Sequence, residues 1–148
     1  RGKAAPQLLP ALVDSLASLE PQLVETDARG LAAEILRSTP RRALVVLLTT
    51  LDTTPVEEGL LPVLGRLADR HTLLVASVAD PRLAEMAAAR GTVEKVYQAA
   101  AAHKAQAERD RTAGLLRRRG VTVVDAPPAD LASALADAYL SAKAAGKL

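Results

Sequence analysis

Apolar residues in this chain follow two spacings, one typical of buried strands and the other typical of helices. Unbroken apolar runs occur at residues 43–48 and within the stretches HTLLVASVAD and VTVVDAP. Runs of this length predict strands that are buried on both faces, as in parallel sheets. The segments around them have apolar residues at helical spacing, so the predicted order is α-α-β-α-β-α-α-β-α.

The helix boundaries are predicted by capping residues, prolines and glycines. Asp27 and Asp80 are expected N-caps, Pro55 is expected in a first helical turn, and Gly120 is expected to stop the longest helix. Pro62 either kinks the third helix or marks its start. The predicted helices cover residues 6–19, 28–38, 56–70, 81–89, 93–119 and 129–146.

Strands that are separated by helices predict parallel pairing through right-handed crossovers. The fold class is therefore α/β, with a Rossmann-like parallel sheet between two layers of helices. The run at 43–48 is the most apolar of the three, so we expect it to be central. Only helices precede it, so we expect an upstream half of the sheet to lie outside these residues.

Composition narrows the classes of function. The 148 residues fit one domain and include 49% hydrophobic but only 1% aromatic residues, so the surface offers little for stacking bases or sugars. The absence of Cys excludes disulfides, zinc–thiolate sites, iron–sulfur clusters and a Cys nucleophile. With a net charge of only +2 we expect no nucleic-acid partner. No apolar run is long enough to span a bilayer, so we expect a cytoplasmic chain without membrane contact.

Polar residues follow each predicted strand, and parallel strands bring such residues to one edge of the sheet. The carboxylates at this edge are Asp52, Asp80 and Asp125. Together they would bind a cation or act as acid and base in a metal-dependent or small-ligand enzyme. Alternatively, Asp80 caps a helix and Asp125 is a turn residue, and the pattern favours this structural interpretation.

Other chemistry has little support in the sequence. We expect His71 and His103 to be solvated surface residues, since no acidic residue stands at metal-ligand spacing from either. Gly-x-Ser-x-Gly, P-loop and Gly-x-Gly-x-x-Gly motifs are absent. The basic run LLRRRG complements the dipole at a helix carboxyl end.

The series RRALVVLLTTLD, LLVASVADPRL and VEKVYQAAAAHKAQAERDRTAGLLRRRGVTVVDAPP resembles the carboxyl-terminal half of a bacterial family, from about Leu16 onward. This is the domain of unknown function 58 family, whose members have a von Willebrand factor A-like domain and are associated with MoxR-type AAA+ ATPases. The resemblance implies that residues 1–148 are the carboxyl-terminal fragment of such a domain, whose full-length relatives are often membrane-anchored. It also implies a non-catalytic interaction module, an adaptor in assembly or maturation.

In this family an Asp-x-Ser-x-Ser motif, a loop Thr and an Asp after the fourth strand hold a divalent ion. Asp-x-Ser-x-Ser does not occur here, Thr50 stands in place of the later Asp, and Asp52 follows two residues on. Thr26 is the nearest match to the loop Thr. We therefore expect no cofactor, although the resemblance implies Mg²⁺ for full-length members. The expected protein-docking residues are Thr49, Thr50, Asp52, Thr53 and Asp80.

The strand at 43–48 also predicts a partner. If it has no upstream neighbour, its free backbone groups form a template for another strand. We expect two copies to pair antiparallel through this strand, about a two-fold axis, as a homodimer.

Overall fold

The computed structural model describes residues 10, 13–15, 17–20 and 26–148. Helices and strands alternate as predicted, which confirms the α/β class. Of the first predicted helix, residues 10, 13–15 and 17 are helical, and most of its other positions lie outside the described residues. From residue 26 onward the elements are α1 (Ala28–Ser38), β1 (Leu44–Leu48), the π-helical segment Pro55–Leu60, α2 (Leu61–Ala68), β2 (Thr72–Val78), α3 (Pro81–Ala88), α4 (Val93–Arg118), β3 (Thr122–Ala126) and α5 (Leu131–Ala144).

The predicted caps are present. Asp27 accepts a hydrogen bond from the backbone N–H of Gly30 at 2.8 Å, and Asp80 accepts one from the N–H of Arg82 at 2.9 Å. Gly120 follows α4 with a φ of +79°, a conformation that a residue with a Cβ rarely adopts. This glycine therefore ends the longest helix, as predicted.

Pro62 marks the start of α2. Proline has no N–H to donate and its ring crowds the preceding turn, so a regular α-helical turn cannot run through it. The turn before it is wider, and Leu61 donates its N–H to the carbonyl of Val56, five residues back. The π-helical segment therefore ends just before Pro62, which lies in the first turn of the α-helix that begins at Leu61.

The three described strands form one parallel sheet in the order β1-β2-β3. Leu44 pairs with Thr72, and Leu74 pairs with Thr122. Among the described strands β2 is therefore central and β1 lies at an edge, so the prediction that β1 is central is wrong within this sheet. Apolar content does not set strand order, because order depends on the crossovers between strands.

One face of the sheet is covered along all three strands, and we call it the closed face. Val45, Leu47 and Val123 pack from this face against a core built by α1, α2, α4 and β2. Its buried members include Ala32, Leu64, Leu67, Leu73, Val75, Ala113 and Leu116. The core therefore lies between the closed face and these helices.

The opposite face, which we call the open face, is covered only in part. Helix α5 packs against β3 and β2, where Leu74 and Ala76 are 1% exposed. On β1, Val46 is 42% exposed and Leu48 is 74% exposed. The apolar surface of the edge strand thus faces solvent on this side. Within residues 13–15, 17–20 and 26–148, no helix is long and apolar enough to cross a membrane.

Candidate binding site at the carboxyl edge of the sheet

The carboxyl ends of the three strands meet at one edge, as the sequence predicts. The hydrogen-bond ladder continues past the strands, since Thr49 N donates to Ala76 O at 3.1 Å and Ala79 N donates to Ala126 O at 2.9 Å. The segments after β1 and β2 and the end of β3 therefore stay in register. This alignment places Asp52, Asp80 and Asp125 at the same edge.

Asp125 is held by an arginine from α4. Arg109 Nη2 donates to Asp125 Oδ1 at 2.6 Å, to Ser77 Oγ at 3.0 Å and to the carbonyl oxygen of Val78 at 3.2 Å. Ser77 and Asp125 are register partners on the closed face, and α4 crosses that face. The two charged side chains are only 15% and 18% exposed, so each needs the other.

This pair corrects the prediction that Asp125 is a turn residue, because Asp125 lies inside β3. Sequence reasoning also missed Arg109. The strand sequence TVVDA contained a signal for this pair, because its carboxylate lies at a position of an otherwise apolar strand that faces the closed side of the sheet. Such a carboxylate requires a cation, and the long helix before the strand supplies one.

Asp80 has the capping role that the sequence predicts. Besides accepting from the N–H of Arg82, it forms an ion pair with the guanidinium of the same residue, with Nη2 and Oδ2 2.9 Å apart. The side-chain hydrogen bond from Arg82 is the main cause that lowers the pKa of Asp80 below its ordinary value. The same bond raises the pKa of Arg82.

The threonines after β1 have different surroundings. Thr49 is half-buried and Thr50 is exposed. The hydroxyl of Thr53 hydrogen-bonds that of Thr112, which is fully buried on α4, at 3.3 Å. Thr54 forms no side-chain cap, and the turn into the π-helical segment is closed by Val56 N donating to Asp52 O at 3.2 Å. A backbone bond therefore closes this turn, and the hydroxyl of Thr53 links it to α4.

A cleft of about 490 Å³ opens between the segment after β1 and helix α4, and we call it the carboxyl-edge cleft. Its lining combines apolar side chains with two threonines, two arginines and two carboxylates. Its lining residues are Leu51, Asp52, Thr53, Thr54, Pro55, Leu83, Ala105, Glu108, Arg109 and Arg111.

The residues proposed as a degenerate ion site are not gathered in one cavity. Asp52 lines the carboxyl-edge cleft, whereas Thr26 lines a second cavity of about 320 Å³ at the amino end of α1, together with Glu58. Thr50 lines neither of them. In residues 26–148 and the shorter described stretches before them, no group of three or more His, Asp or Glu side chains could hold a metal ion.

The two histidines differ from each other. His103 is exposed on α4, as predicted, but His71 is only 3% exposed, so its predicted surface position is wrong. His71 joins α2 to β2, where its backbone N–H donates to Leu67 O at 2.8 Å, and this tight junction carries its ring inward. Within the described part of the chain, neither ring nitrogen has a hydrogen-bond partner.

These features define an α/β protein with a Rossmann-like parallel sheet and a polar cleft beyond the strand ends. No protein-family model matches the chain, and comparison with curated proteins and with solved structures gives no match.

Proposed function

We propose that this chain is a non-catalytic protein-interaction module with a von Willebrand factor A-like fold. In this proposal it acts in the cytoplasm as an assembly or maturation adaptor of a MoxR-type AAA+ ATPase. The parallel sheet with its flanking helices supports the fold. The resemblance of the series that begins with RRALVVLLTTLD and ends with GVTVVDAPP supports the ATPase as partner.

The observation that carries the proposal is the pairing of carboxylates with arginines at the carboxyl edge. Asp125 is bound by Arg109, and Asp80 is bound by Arg82. A carboxylate in such a pair has its charge compensated by a guanidinium, which disfavours it as a metal ligand or as a general base. What remains at this edge is a surface of hydroxyls around Asp52, which is suited to hydrogen bonds with another protein.

A capture experiment tests the docking surface. The variant Thr50→Ala/Asp52→Ala removes two exposed polar side chains at this edge, and we expect it to retain less MoxR-type ATPase than the wild-type chain. Thr122→Ala is the matched control, because Thr122 is exposed at the amino end of β3, away from this edge. Equal capture by the edge variant and the wild-type chain would remove the carboxyl edge from the proposal.

A metal-dependent or small-ligand enzyme that uses Asp52, Asp80 and Asp125 is the alternative. The cleft beside Asp52 is the observation in its favour, since ligands of parallel α/β sheets bind beyond the strand ends. Crystals soaked in Mg²⁺ or Mn²⁺ separate the two functions. Ion density bridging these carboxylates would replace the interaction module with a metal site.

A second copy is proposed as partner of β1. The strand is symmetric about Val46, so an antiparallel pair centred there sets Leu44 of each copy opposite Leu48 of the other, on the open face. The same register brings Arg41 and Arg42 of one copy beside residues 50–52 of the other, which include Asp52. The basic residues before β1 of one copy and the acidic residue after β1 of the other therefore have complementary charges in the dimer.

A charged side chain substituted at the two-fold axis of the proposed dimer tests whether the dimer forms. Val46→Lys tolerates solvent, because Val46 is 42% exposed, but in the dimer it would oppose a second Lys directly. We expect this variant to be monomeric by sedimentation while wild-type chain is dimeric. Val78→Lys is the control, since Val78 is 54% exposed on the central strand. A wild-type monomer at high concentration would end the dimer proposal.

A further inference from the structure

Arg109 is fixed at the carboxyl-edge cleft through a single one of its three nitrogens. Nη2 makes the bonds to Asp125, Ser77 and the Val78 carbonyl. Within the described residues, Nε and Nη1 donate to no protein acceptor, and only the ring nitrogens of His71 are fully enclosed without a partner. The remaining N–H groups of Arg109 therefore reach solvent where this side chain lines the cleft.

We propose that the carboxyl-edge cleft binds a carboxylate of a protein partner on the unused N–H groups of Arg109. Rigid placement favours this role, because the three bonds through Nη2 hold the guanidinium before any ligand arrives. A guanidinium that is already ordered loses little conformational entropy on binding. Arg111 lines the same cleft and adds a second positive charge.

The charges of the lining select the kind of ligand. Asp52 and Glu108 line the cleft beside the two arginines, and Asp125 already neutralises Arg109. A dianion such as phosphate would therefore meet no net positive field. A single carboxylate with a neighbouring cation fits better, since the cation is attracted by Asp52.

Asp52 is available for that cation. It is exposed, and no ion pair joins it to another residue in the described part of the chain. Glu108 is less available, because Lys104 lies 3.9 Å from it. The ligand is thus a peptide segment with an acidic side chain next to a basic one. This inference rests on the proposed function, since it takes the partner to be a protein.

Peptide titration of the whole chain tests the site directly. The probe is the peptide acetyl-Ala-Glu-Lys-Ala-amide, the control peptide has Gln in place of Glu, and inorganic phosphate is a third ligand. The side-chain N–H signals of Arg109 in nitrogen-15 NMR report on binding. We expect the Glu peptide to shift them with roughly millimolar affinity and the Gln peptide to bind about tenfold more weakly, because a charge-assisted bond is lost.

Two variants and a control locate the effect. Arg109→Lys keeps the charge but loses the planar donors, and we expect about tenfold weaker binding of the Glu peptide. Ala105→Met fills the cleft from α4 without touching the Arg109–Asp125 pair, so it should block binding in a fully folded chain. Arg82→Lys alters an arginine that lies outside the cleft lining and should leave binding unchanged.

The outcomes separate this site from the adaptor role. Equal binding of the Glu and Gln peptides, tighter binding of phosphate, or no shift with any probe would overturn the inference. Capture of a MoxR-type ATPase without Glu-peptide binding would keep the module and remove this site. Glu-peptide binding that Ala105→Met abolishes, without capture of the ATPase, would keep the site and remove the adaptor.

Discussion

Strands β1 and β2 lie side by side, yet the more apolar of the two is the less buried. β1 has the sequence LVVLL and β2 has TLLVASV. Five consecutive residues of β2, from Leu73 to Ser77, are at most 2% exposed, whereas Leu48 of β1 is 74% exposed. Burial of a strand in this sheet is therefore set by its neighbours and not by its own apolar content. A central strand has a partner on each side and helices on both faces, so it buries even a serine.

The largest expected contrast compares two leucines on the open face. Leu74→Ala removes a side chain that is 1% exposed under α5, so it should lower the free energy of unfolding by about 3 kcal/mol. Leu48→Ala removes a side chain that is 74% exposed, so the loss should stay within about 0.5 kcal/mol. Urea denaturation of both variants at low protein concentration measures the difference.

Comparable losses for the two leucines would contradict the exposure of Leu48, since they would mean that another chain covers it. A Leu48→Ala loss that grows with protein concentration would identify that chain as a second copy.

The buried ion pair on the closed face gives the next effect. Asp125→Asn leaves the guanidinium of Arg109 largely buried without its counter-charge, so we expect a loss of about 2 kcal/mol in unfolding free energy. Glu34→Gln is the matched control, because the pair of Glu34 with Arg37 on α1 is exposed and should contribute less than about 0.5 kcal/mol. Thermal unfolding of the two variants side by side checks the prediction, and similar shifts would show that burial adds nothing to the Asp125 pair.

His71 predicts a change of opposite sign at the amino end of β2. The ring is buried without a partner for either nitrogen within the described residues, and an unsatisfied buried polar group costs about 1–3 kcal/mol. His71→Leu fills a similar volume without polar atoms, so it should stabilise the fold by about 1 kcal/mol. The control is His103→Leu on the exposed side of α4, which should leave stability unchanged. A destabilised His71→Leu variant would mean that the imidazole does have a partner.

The sequence predicted the parts of this fold that depend on local physics. Periodicity gave the order of elements, and the caps Asp27 and Asp80 and the stop at Gly120 follow from backbone chemistry that one or two turns contain. The edge position of β1 and the burial of His71 were missed because they depend on contacts between distant segments. Apolar content shows that a segment can be buried, but it does not show which other segments cover it.

The candidate site divides in the same way. That three polar strand ends share one edge follows from parallel pairing alone. The pairing of Arg109 with Asp125 does not, because it depends on how α4 lies across β2 and β3. Helix α4 spans 26 residues, and only the crossing of the sheet selects Arg109 among its several basic side chains. The cleft between α4 and the segment after β1 was beyond sequence reasoning for the same reason.

The smallest expected effect contrasts the exits of the two strands at low pH. After β1 no side chain caps the following helix, but after β2 the carboxylate of Asp80 caps α3 and binds Arg82. These bonds lower the pKa of Asp80, so the folded state favours the charged form. The contribution to stability is therefore complete above the ordinary pKa of 3.8 and is lost as the pH falls through the lower folded value.

Asp80→Asn should consequently destabilise the chain at neutral pH, by less than the other variants because Asp80 is solvated. The gap in stability between this variant and the wild type should close in acid. Asp130→Asn is the control, since Asp130 precedes α5 without forming a side-chain cap. Unfolding midpoints measured from neutral pH down to acid distinguish the two variants, and a gap for Asp80→Asn that stays constant would mean that the ion pair and cap after β2 add no pH-dependent stability.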